Sequence, residues 1–372
     1  MSSSNTPIKP RPPPTPTRGL KAWLCKNLFS SVGHTLVSFI CFVALCFLTS
    51  FVIRWGFLNA VTAPDPGACQ AARGVGACWG VINEKARIIL LGRYPRMEHW
   101  RAELASVLLV GLVVASCGRW FWKPWAALLW PMVLGVCFVL LHGGMLGLTT
   151  VSTDRWGGLP LTVILTVISM VSAFPLAILL ALGRRSSAPA IHIACATYIE
   201  LIRGIPLVAL LFMASFMFPL LTPVGSSPDV LLRVIVGIAL FAAAYLAEII
   251  RGGLQAVPEG QREAAASLGL GYWKTQIAIV LPQALSIGLP GLMNSIISLF
   301  KNTSLVAIVS LYDLTGAFSL AMNSEPSWRP FKLEAYLFIA GIYFCFCFSM
   351  SRYSLGVERR LATTKAPQTS RA

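Results

Sequence analysis

Eight runs of mostly apolar residues punctuate the chain, at roughly 34–53, 103–118, 125–142, 159–182, 205–221, 230–250, 283–300 and 335–351. A helix that spans a bilayer needs about 20 such residues, because the hydrocarbon core is about 30 Å thick and a helix rises about 1.5 Å per residue. Only 12% of the 372 residues are charged, where a soluble domain carries about 25%. The mean hydropathy of +0.72 agrees. The expected fold is therefore all-α: a polytopic membrane protein with about eight transmembrane helices. The run at 34–53 is too long and too far from the N-terminus for an ordinary secretory leader.

The distribution of Lys and Arg predicts the orientation. With both termini in the cytoplasm, the inner loops and tails carry eighteen of these residues against ten outside. Seven of those ten lie in one long loop, 54–102, and long loops translocate with weaker regard to charge. The net charge of +16 is accordingly assigned to membrane topology, and no nucleic-acid partner is expected. Membrane lipid is the expected surrounding.

Four regions are distinguished. Residues 1–33 form a basic cytoplasmic tail whose first 18 residues, rich in proline, are expected to be disordered. Residues 34–150 form a three-helix extension that includes the outer loop 54–102. Residues 151–355 form a compact five-helix core, and 356–372 a second cytoplasmic tail. Cys69 and Cys78 share the outer loop. An oxidising compartment permits a disulfide between them, and two free thiols is the other reading.

No pattern of catalytic or metal-binding residues is found. The histidines, at 34, 99, 142 and 192, are scattered, and neither an H-E-x-x-H nor a C-x-x-C pair is present. No metal site and no cofactor is expected. "GYWKT" lacks the glycine and lysine spacing of a nucleotide-binding loop, so the chain is expected to bind no ATP of its own. A transporter or channel is favoured over a membrane enzyme.

Three stretches carry polar residues where a membrane protein has reason to use them. Glu200 and Arg203, and again Glu248 and Arg251, stand three apart on one helix face. Each pair is either a snorkelled ion pair at a helix end or a contact with a partner subunit or an inner gate. In 283–317, Pro290, Asn294 and the run Lys301, Asn302, Thr303, Ser304 interrupt an apolar segment. Polar backbone at membrane depth survives only when buried in protein or lining a cavity. This stretch is either an interfacial break with Lys301 snorkelling or a wall of a translocation path. Residues 304–317 are read as a return or half-helix. The third stretch, "EGQREAAASLGLGYWKTQIAIVLPQA" from Glu259, separates two apolar runs. Its acidic first turn, three alanines and two breaking glycines predict a short surface helix with a small face, and Pro282 is expected to begin the next membrane entry.

The spacing Glu263, Ala264, Ala265, then Gly269, then Ile279, Leu281 and Pro282 resembles the EAA loop of ATP-binding-cassette importer permeases, here occupying 259–282. "YIELIRGIPLVALLFMASF", "AAYLAEIIRGGLQAVPEGQ" and "LFKNTSLVAIVSLYDLTGA" are similar to the polar amino acid branch of that family, over about 155–355. The three-span extension, "DRWGGLPLT" and "EAYLFIAGIYFCFCFSMSRYS" resemble the membrane subunits of bacterial general L-amino acid transporters. The family often has an acidic residue after the lysine, where this chain has Asn302. The resemblance implies a non-catalytic permease subunit in the bacterial inner membrane. Its implied partners are a second permease subunit, two cytoplasmic ATPase subunits that bind the ATP, and a periplasmic amino-acid-binding protein. The EAA loop would dock on the ATPase. The cargo would be L-amino acids. Another polar solute such as an opine is the alternative, and an ion-coupled carrier is a more distant one, since Glu248 lies near the end of its span rather than at mid-membrane.

Overall fold

The structure, a computed structural model, describes residues 19–116, 126–145, 147–223 and 226–365. The proline-rich segment 1–18 and the last residues of the C-terminal tail, 366–372, lie outside the described residues. The chain divides into two compact units, Met1–Gly80 and Val81–Ala372.

In the first unit, α1 (Leu20–Asn27) precedes α2 (Val32–Ile53). Ser31 caps α2, its hydroxyl accepting the His34 N–H. No α2 residue is buried, as expected for a helix apolar on all sides whose environment is not its own chain. A π turn, Arg54–Leu58, leads into the loop. There Asp65 caps α3 (Pro66–Ala71) with Pro66 in its first turn. Cys69 and Cys78 are joined as a disulfide, with Cα atoms 5.3 Å apart. The Trp79 indole N–H donates to the Gly56 carbonyl at 2.6 Å and folds the loop back on the end of α2.

The second unit begins with α4 (Gly80–Leu91), α5 (His99–Ser116) and α6 (Ala126–His142). Then come α7 (Gly158–Gly183), α8 (Pro189–Gly204), α9 (Leu207–Phe212) and α10 (Val230–Ala256). The short α11 (Gly260–Ser267) and α12 (Tyr272–Thr275) lead to α13 (Leu281–Asn302). A 3-10 segment, Thr303–Val309, a two-residue strand β1 (Tyr312–Asp313) and α14 (Leu314–Asn323) follow, and α15 (Lys332–Lys365) closes the described chain.

Six helical segments among the described residues are long and apolar enough to cross a membrane, with a shorter apolar helix at Leu128–His142 and a pair bent by 101° at α8 and α9. Each of the eight apolar runs coincides with one of these. The bend has a local cause. Pro206 disfavours helical backbone in the residue before it, and Ile205 is extended at φ −96°, ψ 131°. The piece beyond the bend, 207–221, would measure about 22 Å if fully helical, short of the bilayer core by itself.

The centre of the unit is α7, α10 and α13. Small residues stand among the buried leucines and isoleucines there: Ala173, Ala177 and Ala181 on α7, and Ala243, Ala244, Ala247 and Gly253 on α10. Between apolar helices in lipid the attraction is van der Waals packing, which small residues strengthen by letting backbones approach. Gly253 shows how close: a Cβ there would lie 2.3 Å from the Ala284 carbonyl oxygen.

Pro290 lies within α13, which runs unbroken to Asn302. α15 continues past its apolar part to Lys365. Between Thr303 and Phe331 the chain is built of short pieces, and α14, at 10 residues, spans about 15 Å.

Candidate functional site

The polar interruption at 259–282 folds as a helix, a turn and a second helix. Gly269 ends α11 with φ +70°, a conformation that costs glycine nothing. The Leu270 N–H reaches the Ala265 carbonyl at 3.1 Å and the Gly269 N–H reaches that of Ala266 at 2.9 Å. This double closure satisfies carbonyls that a helix end otherwise leaves open.

The small face of α11 is not all on the outside. Ala265, expected at the docking surface, is 1% exposed and seats α11 against its own subunit. The outward face is Glu263, Ala264, Ala266, Ser267 and Leu268, the last 79% exposed. Tyr272 and Trp273 continue it, also exposed, with ring centroids 5.3 Å apart.

Pro282 stands in the first turn of α13. The helix is continuous from Tyr272 through a π turn, Gln276–Val280, into α13. A proline removes a helical hydrogen bond and crowds the carbonyl four residues back, and the π turn lies at that position. Ile279 and Leu281 are half-buried, and Pro282 is exposed. The Gln283 amide donates to the Ile279 carbonyl at 2.9 Å and reaches Gln261 at 3.4 Å, a link from α13 back to α11.

Four further charges meet one carboxylate network near the same end of the bundle. Glu248 of α10 accepts from Arg251 through both carboxylate oxygens, each at 3.0 Å, and from Arg184 at 2.6 Å, with Arg203 at 3.6 Å. Arg184 also donates to Glu200 at 2.8 Å. Of the two pairs expected at spacing three, Glu248 with Arg251 forms. Glu200 and Arg203 instead turn to Arg184 and Glu248, because α8 packs its charged end across α7 and α10. Arg203 also lies over the Tyr245 ring, 5.4 Å from its centroid. Arg184 is the residue that sequence reasoning missed. It was visible only as one of two arginines after a span, where topology already accounted for it.

The candidates for a path wall separate. Asn294 and Lys301 are exposed and share one face of α13 with Ser298, at helical spacing. Asn302 and Ser304 are half-buried. Thr303 is fully buried, its hydroxyl donating to the Phe300 carbonyl at 2.8 Å, so it faces the interior and not that surface.

Two more polar positions escaped the sequence reading. Arg233 lies three residues inside α10, where a charge in a span calls for a reason. One of its terminal nitrogens donates to the Ser215 carbonyl, while its Nε and the Ser215 hydroxyl are buried and find no hydrogen-bond partner among the described residues. Asp313 is wholly buried. It caps α14 by accepting the Gly316 N–H at 2.8 Å and accepts the Tyr343 hydroxyl at 3.2 Å. Burial pushes its carboxyl up to about 6, against the opposing pull of those hydrogen bonds. Its signal was an Asp directly before a small apolar helix, a capping pattern.

The chain was compared with known proteins over its whole length. Residues 140–363 match the family described as binding-protein-dependent transport system inner membrane component. The chain is 44% identical over 369 residues, 96% of this chain and 97% of the other, to the inner membrane amino-acid ABC transporter permease protein YhdY of Escherichia coli (strain K12). It is 35% identical, over 95% of this chain and 96% of the other, to the glutamate/glutamine/aspartate/asparagine transport system permease protein BztC of Rhodobacter capsulatus. A solved structure of an amino acid ABC transporter with histidines is 32% identical, covering 54% of this chain and 90% of that one, with a TM-score of 0.47.

Proposed function

This chain belongs to the family of binding-protein-dependent transport system inner membrane components, and on that premise we propose that it is the permease subunit of an ATP-driven importer of L-amino acids. The cargo assignment rests on the relatives that cover nearly the whole chain, both named for amino acid transport. The observation that carries the mechanism is the outward face of α11, with Glu263, Ala264 and Leu268 exposed while Ala265 anchors the helix from behind.

An ATPase subunit docked on that face would push α11 as a unit. The continuous helix from Tyr272 and the Gln261–Gln283 link would pass the displacement to α13. The charge network around Glu248 ties α7, α8 and α10 together at the same end, so these helices would move with it. The exposed face of α13, with Asn294, Ser298 and Lys301, would be one wall of the path, and a second permease subunit would supply the other. A zwitterionic cargo brings a carboxylate, and Arg233 and Lys301 would be the cations that meet it. The proposed complex contains two ATPase subunits, which bind the ATP, and a periplasmic binding protein. Both termini lie on the ATPase side, and a periplasm-only reporter fused after Ala372 is expected to stay inactive.

The test is reconstitution of the subunit in liposomes with and without its partners. ATP hydrolysis is expected only when the ATPase subunit is present, stimulated by a binding protein loaded with an amino acid. Uptake that runs on an ion gradient without ATP would overturn the proposal. ATP-dependent uptake of an opine but of no amino acid would keep the machine and change the cargo.

A further inference from the structure

α4 carries no role in the reading above, yet it touches three separate places at the end of the bundle opposite α11. Its Lys85, only 5% exposed, places Nζ 2.7 Å from Glu325 Oε2, on the connection between α14 and α15. At its C-terminal end, Gly92 has φ +64°, and a Cβ there would lie 2.6 Å from Gly157 Cα. A Cβ on Gly158 would lie 2.0 Å from the Leu90 carbonyl oxygen. Gly157 and Gly158 in turn pair with Tyr312 and Asp313 of β1. The Arg93 guanidinium sits over the Tyr312 ring, 5.7 Å from its centroid.

Glu325 follows α14 and β1 precedes it, so α14 is held on both sides. On one side α4 makes an ion pair through a nearly buried lysine; on the other its C-terminal end packs backbone against backbone on Gly157 and Gly158, which pair with β1, and Arg93 just beyond it covers Tyr312. The segment so held, 312–325, joins the Lys301–Ser304 stretch to the last helix.

We propose that α4 is a clamp that sets the position of α14, and that Lys85 is a positioning residue for solute passage, acting through Glu325 and not on the solute itself. The clamp follows from the geometry, and its consequence for passage rests on the transport function proposed above. Because Glu325 is half-exposed in its side chain, water can solvate it when Lys85 is replaced, and the fold is expected to survive.

The experiment uses the complete complex and two readouts. In Lys85→Met, amide hydrogen exchange across 314–323 is expected to rise, as it is in Glu325→Gln. The apparent KM for amino acid uptake is expected to rise about ten-fold, with kcat per assembled complex nearly unchanged. Lys85→Arg should restore both, and Glu325→Gln added to Lys85→Met should change little further, since the pair is already broken. Unchanged exchange in α14 would overturn the clamp. Raised exchange with wild-type uptake kinetics, or a loss that only follows the amount of complex in the membrane, would overturn the positioning role. A wild-type complex that takes up no amino acid would sink the transport reading instead, and the exchange measurement would still decide the clamp.

Discussion

Arg184 Nη1 lies 2.6 Å from Glu248 Oε1, and this bond fastens the end of α7 to α10. The same carboxylate faces Arg251 and Arg203, so one negative charge holds three positive ones. Truncating it leaves the three guanidinium groups to repel one another in a site that is only partly solvated.

Glu248→Ala is therefore expected to destabilise the subunit by about 2–3 kcal/mol, below the full cost of breaking a buried pair because the site is partly solvated. Glu200 is the exposed partner, with 67% of its side chain accessible. Glu200→Ala should cost under about 1 kcal/mol. Thermal unfolding in detergent compares the two, and equal losses would mean that the network does not centre on Glu248.

α11 yields a paired prediction. Ala265→Asp forces a charge into the contact that seats the helix, which costs several kcal/mol, and should lower the melting temperature of the isolated subunit. Leu268→Asp changes an exposed position and should alter stability by less than about 0.5 kcal/mol. It should nonetheless abolish co-purification of the ATPase subunit. Full ATPase occupancy in the Leu268→Asp complex would remove α11 as the docking surface.

Asp313 makes stability depend on pH. Its carboxyl is raised by burial to about 6, from about 3.9 in an unfolded chain. The folded state thus holds the proton more tightly, and this group's contribution falls as pH rises from about 4 to about 6, the full cost being present above that range. Asp313→Asn keeps an acceptor for the Gly316 N–H and has no charge to bury. The variant is expected to gain stability relative to the wild type at pH 7.5 and to gain little at pH 4. Parallel melting curves at both pH values check this, and a difference independent of pH would show that Asp313 is not titrating.

Two adjacent glycines in α10 should respond with opposite signs. Gly253→Ala puts a methyl group 2.3 Å from the Ala284 carbonyl oxygen and is expected to cost about 1–3 kcal/mol through forced separation of α10 and α13. A Cβ on Gly252 meets nothing within 4 Å. Gly252→Ala should stabilise by about 0.5–1 kcal/mol, the ordinary helix preference of alanine. Denaturation of the two variants side by side measures the difference, and similar behaviour would deny the close approach.

Much of the architecture was readable from runs of residues. Length and apolarity located the long apolar helices, since a helix in lipid must satisfy its own backbone hydrogen bonds and be long enough to cross. The α11 surface helix was legible because its determinants are local: an acidic first turn, three alanines, and Gly269 where the backbone turns left-handed. The Cys69–Cys78 link was within reach because both residues lie in one loop, nine positions apart. Facing directions were not legible. Ala265 and Ala264 are chemically identical, and only the packing of α11 on its subunit buries one and exposes the other. Arg184 joined Glu200 and Glu248, 16 and 64 residues away, because three helices converge there. Lys85 met Glu325 across 240 positions for the same kind of reason. Pair distances such as these depend on where whole helices come to rest. That is settled by the close packing of small residues along α7, α10 and α13, whose total attraction belongs to the assembled bundle and to no single segment.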